Sequence, residues 1–186
     1  MIDHNNINDA MTAGVGKNCA MDDEVRIKGR YVAECYGPDG VLKWRDTIEN
    51  LVTTAGKNDA LDKHLAGSSY TAAWYMGLIS STGYTTGPAA GDTMASHSGW
   101  TEDQNYSQAS RPTCAFSSAS SGSKALSSSL SFSINASTTI KGAFINSVAT
   151  KGGATGTLFS AGLFSGGDKA MANGDTLSVG YSVSLT

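Results

Sequence analysis

Charge is scarce in this chain. Lys, Arg, Asp and Glu make up 16% of its 186 residues, against about 25% in an average globular protein. The polar surface must therefore come from Ser, Thr, Asn and the 22 glycines. Short hydroxyl side chains tolerate the solvent face of a strand and glycine serves its turns, so the composition predicts extended, turn-rich β structure. A net charge of −3 gives no long-range attraction to phosphates, and no direct nucleic-acid partner is expected. The cysteines Cys19, Cys35 and Cys114 are odd in number, form no C-x-x-C pair and have no His at metal-ligand spacing. Neither a zinc site nor a complete disulfide framework follows; reduced, structurally used thiols of a cytosolic assembly environment are expected. Long apolar runs are missing too. The longest, Ala72 to Ile79, falls far short of the ~20 residues that span a bilayer, so no membrane partner is expected. The opening MIDHNNINDAMTAGVGKNC lacks the basic start and apolar run of a signal peptide, which predicts that the general secretion route is not used.

Signatures of chemistry are equally sparse. There is no G-x-x-x-x-G-K-[ST], no dinucleotide fingerprint after a strand, no H-E-x-x-H and no G-x-S-x-G, which removes the grounds for kinase, dehydrogenase, zincin and lipase readings. The run Gly152-Gly-Ala-Thr-Gly156 shares only its glycines with a phosphate loop, and reads as an inter-strand turn. Asp22-Asp23-Glu24 and Glu102-Asp103 are adjacent acids without the alternating oxygen ligands of a calcium loop, and are expected to be solvated. Asp92, His97 and Ser98 are the residue types of a hydrolase triad, but adjacent His and Ser side chains diverge in a strand and do not face each other in a helix. The chain therefore reads as non-enzymatic, with no catalytic residue, no metal ligand and no cofactor.

What is present is strand periodicity. Residues 1–23 carry few apolar side chains and read as an extended N-terminal arm, whose Ile2, Ile7, Met11 and Val15 could offset the entropy of ordering only against a partner surface. From Glu24 a single domain, 24–186, is expected. Its first hairpin pairs EVRIKGRYVAECY with Val41 to Ile48 across the turn Gly37-Pro-Asp-Gly40. Asn50 to Leu65 contains the one helix, started by Thr53 or Thr54, with Leu61 and Leu65 four apart and His64 near its end. Strands are predicted at 71–79, 112–116, 128–134, 139–145, 157–164 and 177–185, the last in strict alternation. Seven or eight strands with one short inserted helix make the fold mainly β, an antiparallel β-sandwich or jelly roll.

The segment from Gly91 to Pro112, GDTMASHSGWTEDQNYSQASRP, concentrates polar and aromatic residues. Its Gly-Asp-Thr recurs at Gly174-Asp175-Thr176 ahead of the last strand, where an Asp accepting neighbouring backbone N–H groups makes a turn into a strand. Asp92 is expected to do the same local work. Trp100, Tyr106 and Arg111 read as the other anchors of a long ordered loop, the rings packing by one face and the guanidinium tying carboxylates or carbonyls such as those of Glu102.

Trp44, Asn50-Leu-Val52, Trp74-Tyr-Met-Gly-Leu-Ile79, Gly91 to Glu102 with Tyr106 and Arg111-Pro112, and Asn173-Gly-Asp-Thr-Leu-Ser-Val179 together resemble a family of small structural proteins of tailed bacteriophages. The likeness runs from about Tyr31 to the C-terminus. It implies a virion protein that decorates or cements the head shell, assembled in the bacterial host cytoplasm, with the major capsid protein and copies of itself, as dimer or trimer, for partners. It brings no catalytic residues. The alternative it carries is a tail or fibre component contacting the host surface, with loop aromatics such as Tyr70 and Tyr84 meeting glycans.

Overall fold

The computed structural model describes residues 26–65 and 73–186. The predicted arm with Ile2, Ile7, Met11 and Val15 lies outside the described residues, as do Cys19, Asp22, Asp23, Glu24 and Tyr70. Within them the chain is mainly β, with strands β1 (Ile27–Tyr36), β2 (Leu42–Val52), β3 (Tyr75–Ser80), β4 (Glu102–Asp103), β5 (Ser123–Ala125), β6 (Leu130–Ser133), β7 (Thr138–Asn146), β8 (Leu158–Leu163), β9 (Lys169–Met171) and β10 (Thr176–Leu185), and one helix, α1 (Thr54–Leu65). All pairings are antiparallel, and the sheet runs β4-β3-β7-β8-β2-β1-β10-β5 without closing, with β6 on β10 and β9 on β7. The path folds over so that its halves face each other. Tyr31, Ile48, Leu177, Val179 and Tyr181 of one half share a core with Met76, Leu78, Ile140 and Ile145 of the other, and the Tyr31 hydroxyl lies 2.9 Å from Ser160 Oγ across the gap.

Alternation explains the long strands. In β1, Tyr31, Ala33 and Cys35 are fully buried while Lys28 and Arg30 face water. Arg30 stands opposite Glu49 and Glu34 opposite Arg45 in the β1–β2 register, close enough to pair at 3.3 and 3.4 Å. These exposed pairs set register more than stability. The hairpin closes at Gly37-Pro38-Asp39-Gly40, where the Gly40 N–H donates to Gly37 O at 2.9 Å and Gly40 takes φ 75°, the left-handed conformation that favours glycine.

Two predicted elements differ. Asn50 to Val52 belong to β2 and not to the helix, because Leu51 and Val52 pair with Ala161 and Ser160 of β8. That switch of partner is how β2 passes from one half of the sheet to the other. Thr53 then caps α1: its hydroxyl accepts the Gly56 N–H at 3.0 Å and bonds the Leu158 carbonyl, satisfying one orphan donor of the first turn. Leu61 and Leu65, the pair four apart in the predicted helix, are 55% and 76% exposed.

The segment predicted as a strand at 112–116 forms only isolated bridges, Thr113 to Tyr75 and Phe116 to Leu126. Its first half bonds the start of β3 and the residue before it, with Met76 N–H on Pro112 O and Cys114 N–H on Trp74 O. Its second half bonds 125–127, with Ser117 N–H on Ala125 O and Ser127 N–H on Ala115 O. Here too the backbone crosses from one half of the sheet to the other, and a segment that changes partner after two residues cannot count as a strand of either.

Buried ion pairs tie turns to strands. Asp46 on β2 accepts Lys169 Nζ at 2.6 Å, Ser165 Oγ and the Thr47 N–H, both at 2.7 Å, and the Gly166 N–H at 2.9 Å. Burial alone would raise its carboxyl, but these four donors outweigh burial and hold it at about 2. A carboxyl held below its unfolded value of 3.8 stabilises the fold fully above that pH and loses the contribution as pH falls through about 2. Asp46→Asn is therefore expected to unfold ~1–2 kcal/mol more easily than the parent at neutral pH. The gap should close between pH ~4 and ~2. Denaturant midpoints measured across that range check it, and a gap that stays constant down to pH 2 would exclude the pairing as its source.

Candidate functional site

The loop from Ala89 to Pro112 covers the β3–β7 half of the sheet, and the structure brings the expected anchors together around buried charge. Asp92 accepts the Ala89 N–H at 3.0 Å and the Trp100 indole N–H at 2.9 Å, while the Asp92 N–H returns to Ala89 O at 3.0 Å. The second Gly-Asp-Thr repeats this geometry. Asp175 accepts the Ala172 N–H at 2.9 Å, and its own N–H returns to Ala172 O at 3.1 Å. Both copies read Ala-x-Gly-Asp-Thr, so one five-residue turn is used twice, each time with the carboxylate left to reach a distant group.

For Asp175 that group is Lys43 Nζ at 2.7 Å. Burial would raise the Asp175 carboxyl, but Lys43 and the Ala172 N–H hold it below the ordinary carboxylate range. Burial, then this carboxylate, push the Cys35 thiol up to about 11, and burial pushes Cys114 up to about 12. Both remain protonated and unreactive near neutral pH.

Arg111 is the centre of the loop. Its side chain is fully buried and pairs with Glu102, 4% exposed, at 2.7 Å from Nη2 to Oε2 and 2.9 Å from Nε to Oε1, the bidentate fork that favours arginine over lysine. Two further N–H groups donate to Val148 O and Gly153 O, each at 2.9 Å, and the guanidinium lies 5.1 Å from the Phe144 ring centroid. Glu102 also accepts the Gly152 N–H at 2.6 Å. The Gly152–Gly156 run is thus the turn between β7 and β8, with one of its N–H groups taken by a carboxylate of the chain itself. Tyr106 is fully buried; its hydroxyl reaches Glu102 at 3.5 Å, and burial, then the Glu102 charge, raise it well above a free phenol. Lys151 Nζ sits 4.2 Å from the Tyr106 ring centroid and donates at 2.9 Å to Tyr106 O and Gln108 O.

The expectation that Glu102 and Asp103 are solvated is overturned. Glu102 is held by Arg111, and Asp103, 1% exposed, accepts the Asn105 N–H at 2.9 Å and the Thr138 hydroxyl. Nothing in the two-letter run announces burial; the signal was the arginine nine residues on. Asp92 and His97 both bond Trp100 and are not partnered with each other: the His97 ring stacks on the indole at 4.0 Å, with Nδ1 2.9 Å from Trp100 O. Tyr84 is half-buried, with Lys141 Nζ 4.1 Å from its ring centroid, so a face on which a sugar could stack already carries a cation of the same chain.

A second feature, unforeseen in the sequence, is an open apolar cleft of about 170 Å³, at the edge where 112–117 crosses between halves. Trp74 and Phe159 form one wall, their centroids 5.3 Å apart, and Phe116 and Tyr181 the other, at 6.2 Å. Val183 and Ile145 complete the apolar lining and Lys124 stands at the rim. Among the described residues no cluster of three His, Cys, Asp or Glu side chains could hold a metal ion, and no helix is long and apolar enough to cross a membrane. No protein-family model and no curated protein matches this chain.

Proposed function

We propose that the chain is a non-enzymatic structural protein of a bacteriophage virion, a decoration or cement protein that binds the outer face of the major capsid protein shell and stabilises it. The observation that carries this reading is the use made of the loop's reactive residue types. Asp92, His97, Glu102 and Arg111 are bonded to the loop or to the sheet beneath it, which fixes the loop in one shape over a buried, matched ion pair. A rigid patch loses little entropy on docking, as suits a protein that must hold to a shell. The resemblance of the Trp74–Ile79, Gly91–Glu102 and Asn173–Val179 stretches to phage structural proteins supports the same class. Copies touching around a symmetry axis would gain by avidity, so dimers or trimers are the expected form on the particle, with Ile2, Ile7, Met11 and Val15 of the arm engaging neighbouring subunits.

The test is location in the purified particle. Density for this chain is expected on the outer head surface, with copies in contact. Density at the tail or a fibre would replace the shell assignment with host-surface contact, and turnover of cell-wall polymer that disappears in His97→Ala would replace both with a hydrolase.

A further inference from the structure

Lys124 belongs to the apolar cleft by register. It stands opposite Val183 in the β5–β10 pairing, and residues directly opposite share a face of the sheet, so its side chain rises on the side of Val183 and Tyr181, which line the cleft. The Lys124 Nζ lies 6.0 Å from the Phe116 ring centroid and has no carboxylate partner among the described residues. The other lysines placed over rings are matched: Lys141 pairs with Asp168 at 2.8 Å and Lys169 with Asp46 at 2.6 Å, while Lys151 donates to the Tyr106 and Gln108 carbonyls. The cation left unmatched is the one at the rim of an open apolar cleft.

We propose that the cleft binds a compact arene carboxylate, a single aromatic ring carrying one acid group, with the ring between the Trp74–Phe159 and Phe116–Tyr181 walls and the carboxylate at Lys124. Size limits the ligand to one ring. The 170 Å³ space compares with the ~150 Å³ apolar cavity that admits benzene, and it falls below the ~300–1,000 Å³ of pockets that take drug-sized ligands, so a long acyl chain or a nucleotide does not fit. The walls favour an arene, since aromatic pairs gain from edge-to-face and offset contact beyond the area they bury. Charge complementarity sets the head group: one ammonium at the rim selects one negative charge, and a net charge of −3 disfavours polyanions. The walls are also fixed before a ligand arrives. Tyr181 packs on Tyr31 with centroids 4.6 Å apart, its hydroxyl accepts from Asn50 Nδ2 at 3.2 Å, and the Trp74 carbonyl accepts the Cys114 N–H at 2.7 Å. Walls held in this way spare the ligand the cost of ordering them. The inference does not depend on the virion reading.

Titration of the isotope-labelled full chain with phenylacetate, followed by NMR, tests it. The Trp74 indole N–H and the Ile145 and Val183 methyls should shift together and saturate, with a Kd on the order of 1 mM for a ligand of so few atoms. Lys124→Gln changes an exposed side chain; it should weaken phenylacetate roughly fivefold, the upper end for an exposed ion pair, and leave the neutral phenylacetamide unaffected. Val183→Trp should fill the cleft and abolish both, and hexanoate, an acid without a ring, should bind the parent more weakly than phenylacetate. No saturable shift by about 10 mM phenylacetate, well above that Kd, would overturn the inference, as would shifts centred away from the cleft. Phenylacetate affinity unchanged in Lys124→Gln would remove the carboxylate from the proposal, and hexanoate bound as tightly as phenylacetate would remove the arene.

Discussion

Arg111→Ala is expected to lower unfolding free energy by about 3–5 kcal/mol, because removing one member of a buried pair leaves the other charge without compensation. Glu102 would keep only the Gly152 N–H and the distant Tyr106 hydroxyl, and the carbonyls of Val148 and Gly153 would each lose a donor. Denaturant midpoints with unchanged slope measure the loss. Replacing both partners, Arg111→Met with Glu102→Leu, should recover part of it, since no bare charge then remains. Recovery stays partial because the backbone groups the pair satisfied are still buried. A single-variant loss under about 1 kcal/mol, the scale of exposed pairs, would mean that water reaches the fork.

Such a loss would take roughly a fifth or more of the stability of an ordinary domain, about 5–15 kcal/mol in total. The pair is costly to form in a protein so short of charge, and it does not sit at the mouth of the apolar cleft. Its donors and acceptors join two separate stretches: the loop at Glu102 and Arg111, and the β7–β8 connection, held both at Val148 and at the glycine turn 152–153. The chemistry-bearing residue types of the segment are thereby used to fix a long connection in one shape. This is the physical content of reading the loop as a scaffold for a docking surface.

The long strands could be read from the chain because their alternation is complete. β10 places Leu177, Val179 and Tyr181 inward over ten residues, and β7 and β8 appear within a residue or two of their expected limits. β4, β5 and β9 have two or three residues each, too few to show any period, and they exist only through partners elsewhere in the chain. The crossing at 112–117 failed as a strand for a related reason: local β character was right, but which partner it met, and for how long, was decided by distant segments. In the site, residue types identified Asp92, Trp100, Tyr106 and Arg111 as anchors and suggested Glu102 as a partner for arginine. They could not show that Glu102 and Asp103 are buried, because burial of an acid depends on donors supplied by Gly152, Asn105 and Thr138. The cleft was invisible for the same reason, its walls coming from Trp74, Phe116, Phe159 and Tyr181 on four separate stretches.

Trp100→Ala is expected to cost about 3–5 kcal/mol, the range for deleting a large buried aromatic. The indole is 1% exposed and packs in a small second core with Ile79, Met94, Phe144, Leu158 and Ala161, so a cavity opens that the rigid sheet below cannot close. Trp100→Phe keeps most of the volume and should cost less, mainly through the lost indole bond to Asp92. The informative measurement is the combination with Arg111→Ala. Trp100 and Arg111 both contact Phe144, with its centroid 5.3 Å from the indole and 5.1 Å from the guanidinium carbon, and Phe144 is seated where Gly77 has no side chain, since a Cβ there would lie 2.2 Å from its Cζ. Removing either support should loosen the ring that the other leans on. The double variant is therefore expected to lose less than the sum of the two singles, by about 0.5–3 kcal/mol, as residues sharing a partner do. Strict additivity in a double-mutant cycle would show instead that the tryptophan core and the arginine fork stabilise the loop independently, with Phe144 held in place by the sheet alone.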